Sequence, residues 1–529
     1  MTSSDDSPTD TKAHLTATNL EYAIPTTTKS WFRTPHLLQL NICVGIVLIS
    51  STTMGFDGSM MNGLQSLDTW FTYFGSPDAT WLGLMNAVMP LGVIVLSIPA
   101  GWLSDAIGRR YTMMCGIVVL VAAAAMQAAS HNIATFIVAR FFVGAGIELS
   151  CVPAPVLITE IAYPTHRGKA TSLFQTCFFL GAIASSWCTF GTFNMTNSTW
   201  SWRIPSALQA FFPIVQFMGL WFVPESPRWL IGKGRHEEAR AFLLKYYAGG
   251  DESNPIVDHE YREISSRIEA EQAAAGMGWS SLWQTTADRK RLAITAFTAF
   301  ISQWAGNGII TYYLSLVLES VGIKDSFTKT LINGILQIFN YIVAICGALL
   351  VDRVGRRRLW IFSAIGMLVT YSIFTACSAV FAETENHTVA MVVIVFIFLY
   401  YFCYDIAVTP LTFAYPAEIL PFHARQKGMA VCNLCNGLAL MFNSFVNPIA
   451  LEAIAWKYYI VYIVLLFFIT IIVYLFYAET KGYTLEEIAD VFEGPAIVAG
   501  RFRRPSSLRH EHPIDVKEVP VSMIEDISN

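Results

Sequence analysis

Twelve stretches of about 20 mostly apolar residues recur along the chain, the length an α-helix needs to cross the hydrocarbon of a bilayer. They lie near 37–60, 81–104, 110–130, 133–160, 168–191 and 202–223, then near 290–318, 328–351, 359–381, 389–416, 428–450 and 456–477. They are numbered here spans 1 to 12. Lipid offers the backbone no hydrogen bonds, so each span must satisfy its own as a helix, and an all-α membrane protein is expected. Composition agrees: 54% of the 529 residues are hydrophobic and 14% are charged, against roughly 25% charged in a soluble domain. A net charge of -5 supplies no field for nucleic acid, and 13% aromatic residues argue against disorder.

The spans fall into two sets of six. The expected organisation is a polar tail over 1–36, a six-helix bundle over 37–223, a linker over 224–289, a second bundle over 290–478 and a polar tail over 479–529. The linker is charged and amphipathic, with helical patterns in HEEARAFLLKYY and DHEYREISSRIEAEQ. Residues 1–36 lack the basic start and short apolar core of a secretory signal. The ten cysteines are scattered through apolar runs, and the CxxC of Cys432 and Cys435 has no His or Cys partners nearby, so neither metal nor cofactor is expected. No phosphate loop or metal-ligand cluster appears, and the soluble segments hold no paired catalytic carboxylates. An enzyme and an ATP-driven pump are therefore not expected.

Basic residues set the orientation. Arg109 and Arg110 follow span 2, Arg167 and Lys169 follow span 4, Arg353, Arg356, Arg357 and Arg358 follow span 8, and Arg425 and Lys427 follow span 10. On the other side the segment 58–80 has no Lys or Arg, and sequons begin at Asn194, Asn197 and Asn386. Both termini are expected in the cytoplasm of a multi-pass protein of the plasma membrane.

The two sets also repeat each other. Asp105, Gly108, Arg109 and Arg110 of GWLSDAIGRR recur 247 positions later as Asp352, Gly355, Arg356 and Arg357. Glu160 and Arg167 of TEIAYPTHR recur 258 positions later as Glu418 and Arg425. Two matches at nearly one offset imply a duplicated six-helix unit, and such repeats place a substrate site at mid-membrane between the halves.

With PESPRWL at 224–230 and ETKG at 479–482, these motifs stand in the order found in the sugar porter branch of the major facilitator superfamily, which the chain resembles from about Asn41 to Glu487. Through SQWAGNGIITYYL in span 7 it looks most like fungal lactose and cellodextrin permeases. The resemblance implies the major facilitator fold: twelve transmembrane helices in two pseudo-symmetric six-helix bundles with a cytoplasmic helical linker. It implies a secondary active sugar transporter working by alternating access, with a sugar and a proton as partners and the bilayer as solvent. Facilitative hexose uniport is the alternative, and a sugar sensor that does not transport is a third reading.

The resemblance implies a cytoplasmic gate of ion pairs formed by Asp105, Arg109, Arg110, Glu160, Arg167, Glu225, Arg228, Asp352, Arg356, Arg357, Glu418, Arg425 and Glu479. The bland reading of the arginines is topology alone. Amides mark a cavity. Gln303 and Asn307 lie at i and i+4 on span 7, Asn333, Gln337 and Asn340 share one face of span 8, and Asn433, Asn436, Asn443 and Asn447 lie on span 11. Polar stripes at membrane depth face other helices or water, so helix packing and substrate binding both stay open for Asn333, Asn443 and Asn447. Gln175, Gln303, Asn340 and Asn436 match family sugar-contacting positions, as does Asp405 where the family usually has Glu, with Asn307 as a shifted amide. Phe413 and Gly437 stand where many members have Trp. Those changes imply a larger cavity, hence a disaccharide of the lactose or cellobiose type.

Asp57 of span 1 and Arg140 of span 4 match the proton-accepting acid and its charge partner in proton-coupled members. The competing reading is a fixed structural ion pair. Glu148, eight residues after Arg140, is an acid where the family commonly has a small residue; a second proton site and a cavity acceptor are both open for it.

Overall fold

The computed structural model describes residues 31–195, 198–275, 279–481 and 492, and the fold is that of these residues. The expected tails over 1–36 and 479–529 lie for the most part outside them, as does the sequon residue Asn197.

Among the described residues, twelve helical spans cross the molecule. Spans 1, 2, 3 and 5 are Pro35–Leu64, Ala79–Ile107, Arg109–Ala128 and Arg167–Thr192. Spans 8, 9, 11 and 12 are Ser326–Val354, Arg356–Thr384, Phe422–Ile454 and Tyr458–Phe476. The other four are broken in two: span 4 (Ile133–Cys151, Pro153–Ile161), span 6 (Trp200–Leu208, Phe211–Leu220), span 7 (Thr286–Trp304, Asn307–Ser320) and span 10 (His387–Asp405, Val408–Ile419). By length and composition nine stretches of the described residues could cross a membrane; one of them, 427–476, holds spans 11 and 12, and the broken spans 6 and 7 fall outside the count.

The ends repeat as the motifs do. Asp78, Asn132, Asp325 and Asn386 cap spans 2, 4, 8 and 10, each side chain accepting a backbone N–H of the first turn at 2.8–2.9 Å. At the opposite end Gly108 and Gly355 turn the chain into spans 3 and 9 at φ +102°, a region glycine enters without a Cβ penalty. Span 7 breaks at Gly306, also at φ +102°, where a Cβ would lie 2.7 Å from the Tyr371 ring.

Small residues let spans 1 and 5 touch backbone to backbone. A Cβ on Gly55 would lie 1.8 Å from the Phe178 carbonyl oxygen, and one on Gly181 1.8 Å from that of Thr52. The second half instead fills its core with rings, including Trp360, Tyr371, Phe374, Tyr400 and Tyr459, each at most 1% exposed.

The end carrying the arginine turns is the basic end, and the other the far end. Several contacts that cross between the halves lie toward the far end. Asn62 Nδ2 of span 1 donates to Asn333 Oδ1 of span 8 at 3.1 Å, and Gln65 Nε2 donates to the Tyr312 carbonyl at 3.3 Å. Asn333 Nδ2 donates to Ser186 Oγ of span 5 at 3.1 Å, and Ser326 Oγ to Asp68 Oδ2 at 3.4 Å. Gly83 of span 2 lies against the Phe445 carbonyl of span 11. Between spans 6 and 7 the chain forms helices Pro227–Gly232, His236–Tyr246 and Pro255–Ala275. They dock on the first half: Tyr247 OH donates to the Ala162 carbonyl at 2.9 Å, and Glu260 Oε2 lies 3.6 Å from Arg167 Nη2.

Candidate substrate and proton site

In the second half the break in span 7 places a polar cluster beside spans 8, 10 and 11. Helix Thr286–Trp304 ends with Ser302 and Gln303 facing span 11, where Asn436 Oδ1 accepts from Gln303 Nε2 at 2.8 Å and from Ser302 Oγ at 3.1 Å. The next helix starts with Asn307, whose Nδ2 donates to Tyr404 OH at 3.1 Å, and that hydroxyl donates to the Ser302 carbonyl at 2.6 Å. Asn307 Oδ1 is buried with no protein partner among the described residues. Asp405 ends the first helix of span 10; its Oδ1 accepts from Thr409 Oγ1 at 2.7 Å. Asn340 of span 8, with its amide oriented to satisfy its neighbours, donates to Asp405 Oδ2 at 3.3 Å and to the Leu336 carbonyl at 3.2 Å. Phe413 and Gln175 are both half-buried, Gln175 on span 5 of the other half.

The amides left open divide by partner. Asn333 joins the halves at the far end. Asn443 donates to the Gln303 carbonyl and accepts from Tyr462 OH at 3.1 Å, while Asn447 accepts from Tyr458 and Tyr462 at 3.0 and 2.8 Å. Those two knit spans 7, 11 and 12 and are packing residues. Gly437 has its Cα against span 2, where a Cβ would lie 3.0 Å from Ile94 Cγ1. Its missing side chain is therefore taken up by helix contact.

The acid of span 1 is held from two sides. Arg140 Nη1 donates to Asp57 Oδ1 at 2.5 Å and Gln209 Nε2 of span 6 to the same oxygen at 2.7 Å; Asp57 is 1% and Arg140 4% exposed. Asp57 Oδ2 is buried without a partner among the described residues. Sequence reasoning passed over Gln209, an isolated amide in an apolar run, and the tyrosines Tyr401 and Tyr404 of FLYYFCYD, which counted as apolar bulk.

At the basic end Arg109 and Arg356 each pair within their own half. Arg109 lies 3.2 Å from Glu160 Oε2 through Nε and 3.1 Å from Asp105 Oδ1 through Nη1. Its counterpart Arg356 makes a two-pronged contact with Glu418, 2.9 Å from Nη2 and 3.2 Å from Nε. Glu225 Oε1 accepts the Arg109 N–H at 3.1 Å and Oε2 the Arg110 N–H at 3.1 Å, while Glu479 Oε1 accepts the Arg356 N–H at 2.8 Å. Each glutamate thus caps the third helix of its own half, with a glycine in front that leaves room for the carboxylate. Burial nevertheless holds the Glu225 carboxyl above its ordinary range, against the pull of these N–H groups and Arg109. Arg110 donates to the Val223 carbonyl at 3.0 Å, Arg357 to that of Tyr477 at 2.9 Å and Arg425 to that of Leu420 at 3.4 Å. Arg167 faces Glu260 of the linker, and Arg228 lies within electrostatic reach of Glu160. The Asp352 side chain lies outside the described residues.

A family model described as "Sugar (and other) transporter" matches residues 42–492. The low-affinity glucose transporter HXT4 of Saccharomyces cerevisiae is 29% identical over 478 residues, covering 86% of this chain and 81% of that protein. The MFS-type transporter oryC of Aspergillus oryzae is 30% identical over 433 residues, covering 80% of this chain and 79% of that protein. Among solved structures, the xylose transporter XylE from E. coli in a partially occluded inward-open conformation superposes with a TM-score of 0.71 at 20% identity, covering 84% of this chain and 99% of that one. That likeness shows the fold: two six-helix bundles of the major facilitator type.

Proposed function

The chain belongs to the sugar (and other) transporter family, and we propose that it is a proton:sugar symporter of the plasma membrane that works by alternating access. The observation that carries the coupling is the buried Asp57, whose Oδ1 takes both Arg140 and Gln209 while Oδ2 has no partner among the described residues. In a state where Arg140 has moved away, Oδ2 is the oxygen open to carry the proton. One charge moving down 100 mV yields about 2.3 kcal/mol, enough for roughly fiftyfold accumulation.

Sugar hydroxyls need donors and acceptors, and ring faces need apolar contact. Gln303, Asn436, Asn307, Asn340 and Asp405 offer the first from the second half, with Asn307 Oδ1 an acceptor that no described protein group uses. Gln175 contributes from the first half, and Phe413 supplies the ring face. The basic end is assigned to the cytoplasm by its arginines, so both termini lie there. The crossing contacts at the far end then close the outer face. The ion pairs of Arg109, Glu160, Arg356 and Glu418 act in the gate by keeping each half intact, and cross-pairing belongs to the opposite state.

The substrate proposed is a disaccharide, supported by Phe413 in place of a larger Trp; Gly437 lends less, because Ile94 occupies its space. A facilitative hexose carrier is the second reading, favoured by relatives named as glucose transporters. Uptake of labelled mono- and disaccharides in a sugar-transport-null cell, with and without a protonophore, decides between them. Symport predicts cellobiose or lactose accumulation that the protonophore abolishes; equilibrative glucose uptake indifferent to the protonophore establishes the hexose carrier instead.

A further inference from the structure

The break in span 7 deprives backbone carbonyls of the N–H groups a continuous helix would bring them, because the chain turns away at Gly306 with φ +102°. Lipid supplies no substitute, so the donors must come from the protein. Span 10 brings a row of tyrosines to them. Tyr404 OH donates to the Ser302 carbonyl at 2.6 Å, Tyr400 OH to the Ala305 carbonyl at 2.9 Å and Tyr401 OH to the Asn307 carbonyl at 3.4 Å. Asn443 Nδ2 of span 11 serves the Gln303 carbonyl. Tyr400 and Tyr401 are buried, whereas Tyr404 is half-buried and stands one residue before Asp405. Its hydroxyl also meets a side-chain amide, that of Asn307, at 3.1 Å from Nδ2.

That hydroxyl decides which end of the Asn307 amide faces it. A carbonyl cannot donate, so the hydrogen between Tyr404 and Ser302 belongs to the tyrosine, and a phenol has only one. The phenol oxygen is then left to accept. It therefore takes the NH2 of Asn307 and turns Oδ1 the other way, where Oδ1 is buried and no described protein group uses it. The amides nearby are turned elsewhere: Gln303 Nε2 to Asn436, and the Asn340 NH2 to Leu336 and Asp405. A buried acceptor without a donor costs more than a made hydrogen bond returns, so a donor arriving from outside the protein gains by filling the place.

We infer that Tyr404 is a positioning residue for substrate selection: by fixing the Asn307 amide it makes this place in the site an acceptor, which a hydroxyl of the sugar fills as donor. This rests on the reading of Asn307 as a sugar contact. The consequence is chemical. Fluorine in place of a hydroxyl keeps its polarity and much of its size but has no hydrogen to give. A sugar fluorinated at the hydroxyl that meets Asn307 is rejected, because a site built to accept from a hydroxyl leaves its own oxygen unpaired against the analogue. An amide free to rotate would offer its NH2 to the fluorine instead, so the tyrosine sets the selectivity that the asparagine expresses.

The test follows uptake of labelled glucose and labelled cellobiose by the full chain in a sugar-transport-null cell, with monodeoxyfluoro derivatives of the sugar carried as competitors. Asn307→Ala should raise KM about tenfold, the worth of one hydrogen bond to a buried group, and should relax the wild-type rejection of the derivative fluorinated at the contacting hydroxyl. Tyr404→Phe should relax rejection of that same derivative from about tenfold to within about twofold, and should add nothing to KM in the N307A background. A wild type that binds all derivatives alike overturns the role of Tyr404, and so does Y404F that keeps the rejection or raises KM further on top of N307A. N307A with the wild-type KM and the wild-type pattern overturns instead the reading of Asn307 as a sugar contact. Should Y404F not reach the membrane, Asn307→Ser carries the test. A serine hydroxyl turns to give or to take a hydrogen, so the rejection should fade, and a rejection kept intact refutes the inference.

Discussion

Replacing Asp57 by Asn keeps the shape of the side chain and its hydrogen-bond acceptor but removes the charge opposite Arg140. The guanidinium is 4% exposed and donates to Asp57 at 2.5 Å. Breaking a buried pair by neutralising one partner costs about 3–5 kcal/mol, mostly from the stranded charge. For a unit the size of one half, each kcal/mol lowers the melting temperature by about 2–4 °C, so D57N should melt roughly 6–20 °C lower. Replacing both partners, D57N with Arg140→Gln, removes the stranded charge and should recover most of that loss. The assay is thermal unfolding in one detergent at one scan rate, because unfolding of such a protein is a rate process. Uptake per folded molecule is measured in parallel. A D57N variant that melts with the wild type, or a double variant as unstable as the single, refutes the picture of a desolvated pair.

Asn333→Ala removes hydrogen bonds to Asn62 and Ser186 that exist only while the halves touch at the far end; about 1–2 kcal/mol is lost from that state, a roughly 5- to 30-fold shift toward opening there. An impermeant maleimide should then label Ser66→Cys faster, and an unchanged rate counts against the assigned closure. Glu225→Ala and Glu479→Ala should each destabilise by about 0.5–2 kcal/mol, the loss of a helix cap, and by similar amounts in the two halves. Melting of the two variants checks this, and a large asymmetry argues against equivalent roles. Burial raises the Glu260 carboxyl above its ordinary range despite Arg167, so the folded protein holds that proton more tightly than the unfolded chain. Its contribution to stability is present at acid pH and lost as pH rises through the raised value. Glu260→Gln should therefore flatten the pH dependence of melting without lowering stability at pH 7, and a drop at pH 7 would show the Arg167 pair to dominate.

Much of the fold was legible in the sequence because the bilayer permits so few solutions. Runs of 20 apolar residues had to be helices, and the offset shared by Asp105 and Asp352 and by Arg109 and Arg356 marked the repeat. Partner choice was less legible. Asn333, Asn443 and Asn447 look alike in a helical wheel, yet one joins the halves and two bind tyrosines of span 12; which neighbour each meets depends on how neighbouring spans pack. Gln209 was missed because a single amide forms no stripe. Gly437 read as vacant cavity, and only the approach of Ile94 shows where the volume went. The charges read as a gate lie together at the basic end, but pairing within a half against pairing across is a property of state, which one sequence shares among all its conformations.

The glutamates that close the third helix of each half come from the chain just beyond the sixth. Glu225 and Glu479 therefore tie the exit of each bundle back to its middle, as a hoop binds staves. A bundle so bound resists splaying, and the work of switching sides falls on the seam between two stiff bodies. Variation along that seam should alter how fast the carrier turns over, whereas variation under a hoop should decide whether there is a carrier at all.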